Sequence, residues 1–258
     1  MTPVTLITGA SSGIGADLAR VFAAHGHELV LVARREDRLT ALAGEIAATG
    51  QPRPAVLAFD LTRRDAALAL AAELAARGLE PDIVVNNAGF GLSGAAADLD
   101  RAEQLAMIDV NVRALTELSL AFVDSLARHR GGILNVGSVA GFLPGPGMAI
   151  YYASKAYVLS FTEGLRGELA PRGVRVTALC PGPVPSEFQA RAGFEPGFDS
   201  AILNVSAPDV AKAGYQGLMA NKRVVLPGLG IKIVPLLLRL FPRGFILSAV
   251  ARFQLRKR

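Results

Sequence analysis

The sequence predicts an α/β fold: a Rossmann-type doubly wound parallel sheet of about seven strands, helices on both faces, in a single domain. Three observations predict it. Short apolar, β-prone runs alternate with longer helical patterns along most of the chain, the signature of βαβ units. The first of these runs opens into a glycine-rich turn and then an amphipathic helix, which is the context a dinucleotide-binding turn requires. With 258 residues, 51% of them hydrophobic, the chain can bury one substantial core, and disorder is excluded.

Each element follows in order. Val4, Thr5, Leu6 and Ile7 make the first strand. It leads into Thr8-Gly9-Ala10-Ser11-Ser12-Gly13-Ile14-Gly15, and Leu18, Val21 and Phe22 carry the helical pattern onward. Glycines let backbone approach a pyrophosphate, and the helix behind them aims its first amides at it. Residues 28–33 form the second strand and end at Arg34-Arg35. Where NAD is bound, a ribose-binding acid stands about 20 residues after the glycines. Here Ala33 occupies that place with Arg34 behind it. A guanidinium suits the 2′-phosphate of NADP, which it can grip bidentately. The alternative is that Arg34 and Arg35 simply cap a strand end in solvent.

Residues 55–59 are the third strand, followed by Asp60-Leu61 and an alanine-rich helix to Arg77. Residues 82–85 are the fourth and run into Asn86-Asn87-Ala88-Gly89. Helical patterns fill 99–129. The fifth strand, 132–136, ends at Gly137-Ser138, the sixth ends at Cys180, and 222–226 is the last. Right-handed crossovers bring the C-terminal ends of such strands to one edge. Gly13, Arg34, Asp60, Asn86, Ser138 and Pro181 should therefore gather where open α/β sheets bind ligands.

The helix between the fifth and sixth strands carries Tyr151-Tyr152-Ala153-Ser154-Lys155. Tyr151 and Lys155 are four apart and share a helix face. A phenol titrates near ~10 in water, and a nearby ammonium favours its ionised form. The pair is thus suited to acid/base work on an oxygen. Helix geometry alone also permits Tyr152, three residues before Lys155, with packing on a neighbouring helix as its plainer role.

Taken together, these motifs resemble the short-chain dehydrogenases/reductases over roughly residues 4–227. The resemblance is carried by the turn from Thr8 to Gly15, Asn86-Asn87-Ala88-Gly89, Asn111, Ser138, Tyr151-x-x-x-Lys155 and Pro181-Gly182-Pro183-Val184. It implies a carbonyl–alcohol oxidoreductase that uses NADP(H), with Tyr151 exchanging the proton and Ser138 holding the substrate oxygen. It selects Tyr151 over Tyr152. It further implies that Lys155 binds the nicotinamide ribose and lowers the Tyr151 pKa, and that Asn111 positions a water beside Lys155. For the cofactor it implies Gly9, Ser11, Ser12, Gly13, Ile14 and Gly15 at the phosphates and Arg34 at the 2′-phosphate. Asp60 and Leu61 belong to the adenine end, Asn87, Ala88 and Gly89 flank the cofactor, and Pro181, Gly182 and Val184 lie at the nicotinamide. Ser186 stands where the family usually has Thr. The family's mobile substrate loop corresponds to residues 186–209, whose Phe188, Phe194 and Phe198 either meet an apolar substrate or pack the loop down. A homodimer or homotetramer through the helices around 99–129 and 150–170 is also implied.

Charge is distributed unevenly. Residues 1–209 carry 17 basic and 22 acidic side chains, whereas residues 210–258 carry ten basic ones and no acid. Residues 229–258 form a C-terminal extension beyond a 1–228 body, with Ile246, Ala249, Val250 and Phe253 on one helical face and Ser248, Arg252 and Arg256 on another. This basic amphipathic segment either docks on the body or a subunit neighbour, or lies on an anionic membrane surface. Lys232, Pro235, Arg239, Pro242 and Arg243 interrupt it too often for a membrane span. No nucleic-acid fold or base-stacking platform is recognisable. No metal-ligand spacing is present, and His25, His27 and His129 read as helix-end or surface residues. The lone Cys180 excludes an internal disulfide framework and suits a reducing, cytoplasmic compartment. A catalytically idle NADP-binding sensor or scaffold using the basic tail is the alternative to an enzyme, and the complete Ser138, Tyr151, Lys155 and Asn111 set argues against it.

Overall fold

The computed structural model describes residues 1–185, 187–192 and 205–255. Among them, seven strands form one parallel sheet: β1 (Thr2–Thr8), β2 (Leu29–Ala33), β3 (Ala55–Ala58), β4 (Leu79–Asn86), β5 (Gly132–Val136), β6 (Arg175–Leu179) and β7 (Val224–Val225). Their order is β3-β2-β1-β4-β5-β6-β7. The chain winds outward from β1 to β3, then returns to place β4 on the other side of β1, with Ile7 paired to Val85. That return is the topological switch point, where a crevice opens at the C-terminal strand ends.

The helices are α1 (Gly13–Ala24), α2 (Glu36–Ala48), α3 (Ala66–Ala76), α4 (Arg101–Ile108), α5 (Leu115–Ala121), α6 (Val123–Arg128), α7 (Ala149–Leu169), α8 (Glu187–Ala192), α9 (Ala207–Met219), α10 (Leu229–Leu240) and α11 (Arg243–Leu255). Successive strand residues point to opposite faces of a sheet. Accordingly Ile7, Leu31, Val85, Leu134 and Leu179 pack with Leu18 of α1, Leu39 of α2 and Leu218 of α9. Leu6, Val30, Val84, Ile133 and Val176 pack with Leu70 of α3, Leu118 of α5 and Leu165 of α7 on the other side. Both faces are covered, which is why the strands read as unbroken apolar runs rather than alternating ones. Each fully buried Leu, Ile or Val contributes roughly 1.5–3 kcal/mol.

The region of helical pattern at 99–129 is not one regular helix. Between α4 and α5, residues Asp109–Ala114 form a π-helix. Such a turn shifts the phase of everything after it, and here it carries Asn111, which is buried. A chain of buried amides and hydroxyls then fixes the layers. Asn86 Nδ2 donates to Asn135 Oδ1 at 2.9 Å and to Ser119 Oγ at 2.9 Å. Asn135 Nδ2 donates to Thr162 Oγ1 at 3.0 Å. These bonds join β4, β5, α5 and α7 in the interior, where satisfied polar contacts are strong and specific.

The described part of the C-terminal extension forms α10, with Pro235 inside it, and α11. Ile231 of α10 is buried. No helix among the described residues is long and apolar enough to cross a membrane.

Candidate active site

A cleft of about 570 Å³ runs along the C-terminal edge of the sheet and across the switch point. At its centre lies the glycine turn. Gly9, Ser11, Ser12, Gly13 and Ile14 line the cleft, but Gly15 does not. A Cβ on Gly15 would stand 2.3 Å from the Gly9 oxygen and 2.4 Å from Asn87 Nδ2. Gly15 therefore lets α1 close against the turn instead of touching a ligand. Gly9 has φ +66°, a conformation that favours glycine.

The loop after β4 is stapled to this turn. Asn87 Nδ2 donates to the carbonyls of Thr8 at 3.0 Å and Gly9 at 3.1 Å. The Thr8 hydroxyl donates to the Val85 carbonyl and accepts from the amides of Asn87 and Ala88, both at 3.1 Å. Asn87 borders the cleft, yet its side-chain amide serves the turn. Ser12, the N-cap of α1, makes no side-chain capping bond, so the first amides of the helix are left to an anion. A turn with no room for a Cβ, bordered by helix-end amides and continuing into a long crevice, fits a nicotinamide dinucleotide.

At one end of the cleft stand Arg34, Asp60 and Leu61. Burial works to raise the Asp60 carboxyl. Hydrogen bonds from Thr62 and the positive fields of Arg34 and Arg63 outweigh it and hold the group below its ordinary value. Oδ1 takes both Thr62 bonds, from the amide at 3.0 Å and the hydroxyl at 2.9 Å. Arg35 is a lining residue that the motif reading does not assign. Its Nη2 donates to Ser11 Oγ at 3.2 Å, Ser12 Oγ at 3.0 Å and Glu187 Oε2 at 2.8 Å. Both partners of the Arg35–Glu187 pair are about half exposed, so the pair contributes at most about 1 kcal/mol.

At the other end are Ser138, Tyr151 and Lys155, with Pro181, Gly182 and Val184 on the facing wall. Ser138 follows β5 and caps the 3-10 turn Val139–Phe142, accepting from the Ala140 amide at 3.1 Å. Tyr151 and Lys155 come from the first turns of α7. Burial pushes the Tyr151 phenol up to about 12, against a hydrogen bond with Ser138 that acts to lower it. Burial also brings the Lys155 ammonium down to about 8. In this structure desolvation outweighs the lowering of the Tyr151 pKa that the resemblance implies for Lys155. Lys155 Nζ donates to the Val136 carbonyl at 2.8 Å and stands 5.8 Å from the Tyr151 ring centre, and desolvation wins.

Asn111 lies behind the cleft rather than in its lining. Its Oδ1 accepts from the Phe90 amide at 3.1 Å, and its Nδ2 donates to the Phe90 carbonyl at 2.9 Å and to Ser154 Oγ at 3.1 Å. Gly89 separates it from Lys155: a Cβ there would be 2.9 Å from Asn111 Oδ1 and 3.6 Å from Lys155 Nζ. Tyr152 does more than pack on a helix, since it lines the cleft beside Tyr151, ring centres 6.1 Å apart. Phe188 tilts against the Tyr151 ring at 5.4 Å. Ser186, Phe194 and Phe198 lie outside the described residues. Phe90, Val110 and Met148 complete the wall, and no motif or periodicity in the sequence marks them.

Among the described residues no group of three or more His, Cys, Asp or Glu is placed to hold a metal ion. The three histidines sit away from the cleft: His25 stacks on Tyr215, His27 meets Thr5, and His129 meets Glu80. Cys180 is buried and its thiol is pushed up to about 12 by that burial.

Known proteins resemble this chain in sequence and fold. The family profile described as short chain dehydrogenase matches residues 3–195. The chain is 40% identical over 212 residues to sulfoacetaldehyde reductase 2 of Chromohalobacter salexigens, covering 81% of this chain and 83% of that protein. It superposes on a short-chain dehydrogenase from Sphingobium yanoikuyae, solved in complex with NADPH, with a TM-score of 0.82, 36% identity and 95% of each chain covered. The bulky-bulky ketone specific alcohol dehydrogenase from Comamonas testosteroni gives a TM-score of 0.76 at 31% identity, covering 100% of this chain and 94% of that one. With a profile matched over well more than half its length and a dinucleotide crevice ending at a serine, a tyrosine and a lysine, the chain belongs to the short-chain dehydrogenase family and is an oxidoreductase.

Proposed function

We propose that the protein interconverts a carbonyl and a secondary alcohol on an apolar small molecule, using NADP(H), with Tyr151 as the general acid/base. One observation carries the reading: Ser138, Tyr151 and Lys155 all line the same cleft, with Lys155 one helical turn after Tyr151 on α7. When bound, the dinucleotide supplies hydride chemistry. The chain's own part is proton handling and placement. A phenol held up near 12 keeps its proton at neutral pH, so Tyr151 is set to donate to a carbonyl oxygen. Ser138 holds that oxygen and stabilises the charge that develops on it. Met148, Phe90 and Phe188 give the substrate end an apolar wall.

Arg34 would take the 2′-phosphate, with Arg35 beside it, and Asp60 and Leu61 the adenine. Gly9, Ser11, Ser12, Gly13 and Ile14 would hold the pyrophosphate. Ala88, Gly89, Pro181, Gly182 and Val184 would line the nicotinamide end with Lys155. Gly15, Asn87 and Asn111 act one step back by shaping this surface. The exposed Leu105, Ile108, Leu120 and Tyr157 on the helices around the π turn and on α7 supply an apolar face for a homodimer or homotetramer. Residues 229–258 stand outside the reaction as an interaction element, docked on the body or a subunit neighbour or lying on an anionic membrane surface.

The test is turnover of purified protein with NADPH and with NADH over a panel of apolar ketones and aldehydes. NADPH consumption on at least one carbonyl supports the reading. Tight NADPH binding with no consumption across the panel supports a sensor or scaffold instead.

A further inference from the structure

A second cleft, of about 690 Å³, lies between the loop at 141–146, one face of α7, and the C-terminal helices. A groove of this size is within the range of small-molecule sites. Most of the residues lining it are apolar, Phe142, Leu143, Pro144 and Ala149 on the body and Leu238, Ile246 and Leu247 on the tail, although a substantial part of the exposed surface is polar. Among the described residues that line it, Arg243 is the one that carries a charge. Tyr152 closes the side toward the active site and belongs to both clefts. Gly145 lies flat on its ring, where a Cβ would come within 2.3 Å, so this wall is firmly backed.

Arg243 on its wall favours an anionic ligand, and no acidic residue lines the cleft among the described residues. On α10, Ile233, Leu237 and Leu240 fall at i, i+4 and i+7 and are 52%, 47% and 76% exposed, while Ile231 is buried against the body. This outward stripe continues through Phe241 to Phe245, whose rings stack at 5.4 Å. Phe241 also lines the cleft, so an apolar path leads from the outer surface into it. A second copy of the chain is disfavoured as the occupant, because an isologous contact would set two basic, acid-free segments against each other.

We propose that this cleft binds the hydrocarbon chain of an anionic amphiphile, with the headgroup held by Arg243. A free fatty carboxylate and an anionic phospholipid share that chemistry. The proposal concerns a site separate from the reaction and does not depend on the Tyr151 assignment.

The experiment titrates the full chain with a fluorescent long-chain fatty acid and with its uncharged methyl ester. Wild type is compared with Arg243→Glu, Leu247→Glu, Ile233→Glu and Tyr151→Phe. We expect saturable binding of the acid, weakened at least about tenfold by Arg243→Glu, as for loss of a charge-assisted contact. Leu247→Glu should weaken it similarly, and Ile233→Glu, outside the cleft, should leave it within about twofold, below the scale of such a contact. Tyr151→Phe should bind the acid as wild type does, whatever becomes of turnover. NADPH binding retained in every variant shows that each is folded. Vesicle flotation assigns the source: floating with phosphatidylglycerol-containing vesicles but not pure phosphatidylcholine indicates a membrane lipid, and fatty-acid binding without flotation indicates a free carboxylate. Either supports the site. No saturable binding, equal affinity for acid and ester, or unchanged affinity in both Arg243→Glu and Leu247→Glu overturns it, as does a dimer in wild type that Leu247→Glu dissociates.

Discussion

Lys155 Nζ donates to the Val136 carbonyl at 2.8 Å and stands 5.8 Å from the Tyr151 ring centre. The two residues share a helix face, but the ammonium is anchored to the end of β5. Its positive charge is not what sets the phenol, which desolvation carries up to about 12. In the proposed mechanism the pair divides the work: Tyr151 keeps the proton, and Lys155, bonded to the Val136 carbonyl, ties the helix start to the sheet edge.

Tyr151→Phe removes the proposed proton donor and little else. Turnover should fall by about 10²–10⁴-fold, the usual contribution of a positioned acid/base. NADPH affinity, read by nucleotide fluorescence, should stay within about twofold, since a lost ligand contact would cost more than that. Full turnover in this variant would refute the assignment.

Arg34→Ala should discriminate between cofactors. Loss of a charge-assisted bond to phosphate costs about 1.5–3 kcal/mol, or roughly 10- to 100-fold in NADPH affinity. NADH lacks the phosphate and should bind as before. Parallel titrations check this, and equal effects on both cofactors would count against the 2′-phosphate role.

The Lys155 pKa has a consequence for stability with a definite sign. The group lies near 8 in the fold against an ordinary value of 10.5. Between those values the unfolded chain binds more protons, so stability rises with pH. The cost of burying the ammonium is fully present below pH about 8 and fades toward about 10.5. Denaturant unfolding at pH 7.5 and 9.5 should show wild type gaining up to about 2 kcal/mol relative to Lys155→Met. A parallel pH response in both proteins would sink the prediction.

Gly15→Ala tests the closure of the glycine turn. The added Cβ would meet the Gly9 oxygen at 2.3 Å, and relieving such overpacking costs about 1–3 kcal/mol. Both the denaturation midpoint and the affinity for NADPH should drop. An unaffected turn would mean that α1 can shift without disturbing the site.

Much of this was legible in the sequence for a physical reason. Strands buried on both faces must be apolar throughout, so the seven runs, from residues 4–7 to 222–226, stand out. The glycine turn and the Tyr151–Lys155 spacing are local, set by backbone sterics and helix pitch. These determined the doubly wound sheet and the edge to which Ser138, Tyr151, Arg34 and Asp60 would come.

Tertiary structure alone decided the rest, because desolvation and close approach depend on neighbours that no local pattern encodes. It placed Gly15 and Asn111 behind the lining of the cleft, turned the Asn87 side-chain amide onto the glycine turn, and brought in Phe90, Met148 and Arg35. It raised the phenol of Tyr151 where chain spacing predicts a lowered one, because burial costs the charged form more than a lysine anchored to Val136 can recover. It also folded the basic tail against the body while leaving Ile233, Leu237 and Leu240 outward, since a helix apolar on two sides can dock with one and still present the other.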